Sequence, residues 1–353
     1  MSQEVEARRQ SRLPTFEWGL KVGIAGIYND NVLRLSETDQ DAFRRSSSTF
    51  RTPLETIDDG ETEFSIAPAI QWRAPANLMA IGAYRFKTVQ RLNNEFSSYQ
   101  THSFSATLRP RTKGYRWSAK LSVFAIPDFY LRVYRDRDFG TYHDTRFKNF
   151  EYSGEFSIRP LPQVWLAGQS GFGSIYYDKR FTEFDSEFYE IGGEVRYSAP
   201  WASTVSLRYT RRNSDNIGKS QQFLYYPSFE SDVVLEDNEY GDADNTEDEL
   251  RLVLKSPLRL AQELSLDASI TTRIRRRVYS TMNSLESDPF HRGRLDNRWE
   301  VTPSLSFPVN SAIDIEVFYT HEERKSESDV EGVPRVKDFD RNEIGIGATY
   351  SLR

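Results

Sequence analysis

Apolar and polar residues alternate with a period of two along most of the chain, the mark of strands with one apolar face. In the first case, Phe16 to Tyr28, one face holds Phe16, Trp18, Leu20, Val22, Ile24 and Tyr28. The other face holds Glu17, Gly19, Lys21, Gly23 and Ala25. The pattern recurs about 14 times. Clear later cases are Tyr115, Trp117, Ala119, Leu121 and Val123 against Arg116, Ser118, Lys120 and Ser122, and Ile344, Ile346, Ala348, Tyr350 and Leu352 against Glu343, Gly345, Gly347 and Thr349. The segment around Val164, Leu166, Gly168 and Phe172 is less clean, with Trp165, Ala167, Gln169 and Gly171 opposite.

The connections between these segments alternate between short and long. The short ones contain proline: Ala74 to Asn77, Arg109 to Thr112, Arg159 to Pro162, Ala199 to Trp201, Ser256 to Leu258 and Phe307 to Asn310. Proline suits turns and strand ends because it lacks the ladder N–H. The long ones are polar, at roughly residues 30–61, 88–98, 127–146, 177–187, 212–247, 276–296 and 323–341. Six short and seven long connections predict an all-β fold: a single transmembrane antiparallel β-barrel of 14 strands with short periplasmic turns, long extracellular loops and both termini periplasmic. A soluble sandwich or propeller is the competing reading. It would not need strict alternation of connection lengths, nor aromatics at strand ends on the apolar face, as at Trp18 and Tyr28.

Composition sharpens this picture. Mean hydropathy is −0.65 over 353 residues, and no stretch approaches the roughly 20 apolar residues of a spanning helix. A barrel has low mean hydropathy because only alternate residues face lipid. Aromatics make up 14%, as membrane interfaces favour. The absence of cysteine excludes a disulfide scaffold and thiolate metal sites. A net charge of −6 without a basic run argues against a nucleic-acid partner. Met1 to Leu13 lacks an apolar core, so residues 1–14 are expected to be a periplasmic extension of a mature chain, with the barrel over 15–353 and a signal peptide already removed.

The plan of strands and loops resembles porin-like outer-membrane barrels over essentially the whole chain. Tyr28-Asn29-Asp30-Asn31-Val32-Leu33-Arg34 is similar to a Y-D-D-N-hydrophobic-x-R stretch in a loose group of barrels, some of which accompany exopolysaccharide secretion. The stretch resembles a shared barrel-opening feature. The last strand resembles the terminal strand read by barrel-assembly machinery, except that it ends in Arg353 where many members end in an aromatic residue. The resemblance implies an outer-membrane location and a channel or translocation barrel for polar cargo such as polysaccharide, passive or gated by partners. The alternative is a structural barrel that docks periplasmic or surface proteins without an open pore.

The candidate site is the polar face of the strands. Its basic members are Lys21, Arg73, Arg85, Lys87, Arg116, Lys120, Arg196, Arg208, Arg251, Arg273, Arg275 and Arg298. Its acidic members include Glu151, Glu155, Glu190, Glu194, Glu300, Asp314 and Glu316, with Glu17, Glu249, Asp267 and Glu343 in the same pattern. Two readings stand: a pathway that selects solutes by charge, or an ion-paired network that fills a narrow barrel. Fourteen strands lie nearer to the 16–18 that enclose a channel than to the eight whose interior fills with side chains.

The acidic stretch Asn213 to Asp248 lacks the spacing and Gly of an EF-hand and reads as a solvated loop, and its Phe223, Tyr225, Tyr226 and Phe229 suit either sugar stacking or a small loop core. Arg132, Arg135, Arg137 and Lys148 suit lipopolysaccharide phosphates or ordinary surface charge. His102, His143, His291 and His321 come with no nucleophile elbow or metal spacing, so no enzyme and no cofactor is expected. Lipid, lipopolysaccharide, a polar solute and periplasmic or surface proteins are the expected partners.

Overall fold

A computed structural model describes the chain apart from residues 1–14, 48–49, 51, 75–76, 113, 136–141, 200–202, 219–243, 260–264, 283, 286–287 and 353. The residue 1–14 extension, most of the acidic loop and Arg137 therefore lie outside the described residues.

Fourteen antiparallel strands close into one barrel, each paired with its sequence neighbours and β1 sealed against β14. They are β1 Thr15–Asn29, β2 Asp59–Ala74, β3 Leu78–Arg91, β4 Tyr99–Pro110, β5 Trp117–Arg135, β6 Tyr142–Leu161, β7 Val164–Tyr177, β8 Ser186–Ser198, β9 Thr204–Asn216, β10 Asp244–Arg259, β11 Ser265–Ser280, β12 Leu295–Pro308, β13 Ile313–Glu327 and β14 Phe339–Leu352. Helix α1 (Glu37–Arg45) follows β1, and a short α2 (Gly332–Lys337) joins β13 to β14. β1 begins and β14 ends at the rim of short turns, since Phe16 pairs with Trp72 and Leu20 with Leu352.

The alternation places the two faces as the pattern requires. Large apolar side chains stand on the outside, among them Leu121 at 68% exposure, Phe16 and Trp18 at 66%, and Phe172 and Ile191 at 62%. In water such a continuous apolar surface would be a severe liability. In lipid it is the outward band that a membrane barrel needs, and ring closure leaves no unpaired strand edge. Phe16 stacks on Trp72 and Trp117 on Phe156 toward the short-turn rim, while Tyr28, Tyr189 and Trp299 lie toward the opposite rim. Among the described residues no helix is long and apolar enough to cross a membrane.

Several boundaries differ from the sequence expectation. The third long connection, expected at 127–146, is mostly strand: β5 runs to Arg135 and β6 starts at Tyr142. Register shifts between Ile126 and Phe129 and between Tyr130 and Arg132 break the period of two there, next to Pro127. The expected turn at Ser256 to Leu258 is strand as well. Pro257 pairs with Asp267 on β11, but the β9 ladder has already ended at Thr204, so its missing N–H interrupts no bond on that side. Within β2 and β12, Pro68 and Pro303 coincide with gaps in the ladders to β3 and β13 while the opposite ladders stay continuous.

At the long-loop end, the segments after β1 and β13 and before β12 fold over the barrel mouth. Val32, Leu35 and Leu54 form one small core with Phe43 of α1 and Phe96, and Phe290 and Val333 form another. Ser36 caps α1 by accepting the Asp39 N–H at 3.1 Å.

Candidate functional site: a charged wall inside the barrel

The polar faces of β8 to β14 build a continuous inner wall. Directly opposed residues form one row: Glu194 on β8, Arg208 on β9, Arg251 on β10, Arg273 on β11, Glu300 on β12, Glu322 on β13 and Arg341 on β14. Strands tilt in a closed barrel, so the row climbs from the short-turn half at Glu194 toward the long-loop mouth at Arg341.

Its upper part is ion-paired throughout. Glu322 has no exposed side-chain surface and meets three guanidinium groups: Arg34 at 3.2 Å, Arg341 at 2.6 Å, and Arg298. Arg341 also meets Glu343 at 2.9 Å. Two inward-facing rows above, Arg212 pairs with Glu190 at 2.9 Å and with Glu151 at 3.7 Å, and Arg277 pairs with Glu247 at 2.8 Å. Arg294 and Asp296, both buried, pair at the mouth. Arg273 and Arg275 share Glu249 and Glu300 at 3.4–3.8 Å.

The lower part opens into a cavity of about 570 Å³, lined by Glu194, Arg196, Arg208, Arg251 and Lys255 together with Val253 and four hydroxyl side chains. Glu194 is the sole carboxylate in that lining. Its oxygens accept from Arg196 at 2.7 Å, from Ser206 at 2.8 Å and from Arg208 Nε at 2.8 Å. Arg251 lies between Arg208 and Arg273, its Nε is buried without an acceptor, and among the described residues it makes no ion pair. A smaller cavity of about 150 Å³ adjoins it through Glu194 and Arg196 and is lined by Tyr115 and Trp165.

The structure therefore brings Glu151, Glu155, Glu190, Glu194, Arg196, Arg208, Arg251, Arg273, Arg275, Arg298 and Glu300 onto one wall. The other candidates are dispersed. Arg73 pairs with Glu17, and Lys87 with Glu63 at 2.6 Å, on the opposite side of the barrel. Lys21, Arg85 and Lys120 face inward from β1, β3 and β5, and Asp314 and Glu316 from the start of β13. Arg116 precedes β5 and is exposed in the turn after Gly114. For the same reason Tyr115, expected on the lipid face, lines the inner cavity: strand periodicity starts only at Trp117.

The opening stretch after β1 has a clear structural role. Asn29 donates to Glu61 and Glu343, each at 3.0 Å, across both neighbouring strands. Asp30 accepts from the Asn342 backbone and side chain at 2.7 Å. Asn31 accepts from the Leu35 N–H at 2.7 Å and donates to the Leu35 and Asp340 carbonyls at 2.9 Å. Arg34, at φ 56°, reaches Glu322. Together these residues clasp the β1–β14 seam. Sequence reasoning does not reach Arg34, which sits in a loop, nor Arg212, Glu247, Arg277 and Arg341, which fall within the expected long connections although the strands extend to them.

The four histidines stand apart. His102 faces outward beside Tyr84 at 2.8 Å, His143 meets Arg180 at 2.9 Å, His291 meets Asp288 at 2.8 Å, and His321 meets Asn342 at 2.8 Å. Among the described residues no group of three acidic or histidine side chains is arranged to hold a metal.

No protein-family model matches the chain, and no curated protein matches its sequence. Among solved structures it is similar to a bacterial polysaccharide outer membrane secretin, at 9% identity and a TM-score of 0.43 over 95% of this chain and 98% of that one. It is also similar to the anion-selective porin from Comamonas acidovorans, at 7% identity and a TM-score of 0.44 over 96% and 100% of the two chains. OprD of Pseudomonas aeruginosa aligns at 10% identity with a TM-score of 0.38 over 95% of each chain. At these identities and scores the likenesses carry no argument about cargo.

Proposed function

We propose that this chain is an outer-membrane channel or translocation barrel for polar cargo. One observation carries the reading: a closed wall that is apolar outside encloses a polar, charged interior holding a cavity of about 570 Å³. An interior built only to fill space would use apolar packing or complete ion pairing, because unpaired buried charge is costly. A cavity lined with cations and hydroxyls suits water and polar solutes rather than apolar ones. In this reading the short turns and both termini face the periplasm, lipid and lipopolysaccharide surround the apolar belt, and periplasmic or surface proteins gate the barrel from outside. Polysaccharide is the cargo class that the interior suits. The opening stretch does not bear on cargo, since its residues clasp the barrel seam.

Single-channel conductance of the purified protein in a planar bilayer tests this. Steady conductance is the expected result. A folded, inserted and silent barrel that co-purifies with a protein partner would overturn it in favour of a docking barrel. The loop segments packed over the mouth favour that second reading.

A further inference from the structure

The short-turn half of the lumen carries an unused charge. Four cations, Arg196, Arg208, Arg251 and Lys255, line the larger cavity; Glu155 of the adjoining cavity reaches Arg208 at 3.2 Å, and the lining itself holds one carboxylate, Glu194. That carboxylate is already engaged by Arg196, Arg208 and Ser206. Arg251 and Lys255 are left without an ion pair among the described residues, and both cross-strand neighbours of Arg251 are arginines. Like charges directly opposite one another destabilise a sheet, and a buried Nε without an acceptor adds a cost that cavity water lowers but does not remove. A bound carboxylate answers both costs, since its two oxygens match the guanidinium fork. Arg251 and Lys255 are four residues apart on one face, roughly 13 Å along the strand, a spacing suited to a ligand with more than one charged unit.

The remaining lining identifies the rest of the ligand. Thr204 and Thr271 present hydroxyls without a side-chain partner among the described residues, beside Ser206 and Ser269. The adjoining cavity supplies an aromatic corner, with the Tyr115 and Trp165 rings 5.1 Å apart and inclined at 57°; Arg109 lies over one face of Tyr115 at 4.3 Å and Arg159 over one face of Trp165 at 5.6 Å, which leaves the second face of each ring for a ligand. Hydroxyls match a polyol, and an aromatic face matches the apolar face of a sugar ring. Cations, hydroxyls and an aromatic corner thus share one connected space that neither bare inorganic anions nor neutral sugars would fully use.

We propose that the wall formed by Arg251, Lys255 and the Tyr115–Trp165 corner is a binding site for an acidic saccharide, a carboxylate-bearing sugar chain. This deepens the channel reading and rests on its accessible lumen.

The test is titration calorimetry on the full-length protein, folded in detergent micelles, with trigalacturonate as probe and with maltotriose and inorganic phosphate as controls. Trigalacturonate is expected to bind at least tenfold more tightly than either control. The double substitution R251Q/K255Q is expected to weaken binding at least tenfold, R251K/K255R to weaken it less than R251Q/K255Q because charge is kept while the fork at position 251 is lost, and W165A to weaken trigalacturonate while leaving phosphate unchanged. Resistance of the folded band to detergent on unheated gels reports that each variant has folded. No binding of trigalacturonate, or binding indifferent to R251Q/K255Q, overturns the site. Phosphate binding as tightly as trigalacturonate overturns its saccharide character. Because binding is read in micelles, the outcome is independent of conductance: a silent barrel that binds trigalacturonate removes the channel and keeps the site, and a conducting barrel that does not bind removes the site and keeps the channel.

Discussion

Replacing Glu322 with glutamine keeps the shape of a fully buried side chain and removes the one charge that faces Arg34, Arg298 and Arg341. Removing one partner of a buried ion pair typically costs about 3–5 kcal/mol, because the remaining charge stays desolvated. Three features set the value here toward the lower end. The Arg34 and Arg298 side chains are 36% and 24% exposed and regain water. Arg341 keeps Glu343 at 2.9 Å. The glutamine carbonyl still accepts one hydrogen bond. About 3 kcal/mol remains, on the order of a hundredfold in the folding equilibrium constant. Urea unfolding in lipid vesicles, followed by tryptophan fluorescence and extrapolated linearly, measures this difference. Arg34→Ala removes only one partly exposed arm and is expected to cost about 1 kcal/mol. A Glu322→Gln variant within about 0.5 kcal/mol of the parent would refute the idea that this carboxylate organises the barrel mouth.

Three further outcomes follow from other parts of the molecule. Leu121→Arg on the outer face is expected to cost about 2–4 kcal/mol in lipid vesicles, whereas Lys120→Ala, one residue away on the inner face, stays within about 1 kcal/mol; equal effects would contradict the assignment of the two faces. Asn31→Ala removes three side-chain hydrogen bonds from a buried site and is expected to cost about 1–3 kcal/mol in the same unfolding assay. In Gly173→Ala the added methyl group would collide with the Phe150 carbonyl oxygen and the Phe188 ring; a loss of about 1–3 kcal/mol is expected, and a neutral result would mean that the Phe188 ring does not lie over that glycine.

Strand identity was legible because lipid and lumen impose opposite demands on alternate residues, so Phe16 and Glu17, or Leu121 and Lys120, declare their faces locally. Strand ends were less so. At Pro127 and the neighbouring bulges the period slips, and at Tyr115 a turn places an aromatic residue inside although its spacing matches the outer face. The inner wall was legible residue by residue but not as an arrangement. Whether an arginine is paired depends on the cross-strand register, which joins Arg208, Arg251 and Arg273 in one row although they are far apart in the chain. Arg34 carried no periodic signal, because it acts from a loop held in place by Asn31.

The row from Glu194 to Arg341 uses one chemistry for two tasks, and the difference follows from hydration. At the mouth, loop segments bury the charges, so the guanidinium groups are partnered, Arg324 by the Lys337 carbonyl and three others by Glu322. Below, the cavity admits water, so Arg251 and Lys255 remain unpaired at lower cost. Paired charges contribute rigidity but little net field, whereas unpaired cations bias the ions that pass. Stability and selectivity should therefore separate along a single row of residues. Glu322→Gln is expected to lower unfolding stability while leaving the reversal potential in a salt gradient near that of the parent. Arg251→Gln is expected to shift the reversal potential toward cation preference while leaving stability within about 1 kcal/mol. If Arg251→Gln destabilised the barrel as much as Glu322→Gln and left the reversal potential unmoved, the lower wall would be a structural network like the upper one, and the division between the two would fall.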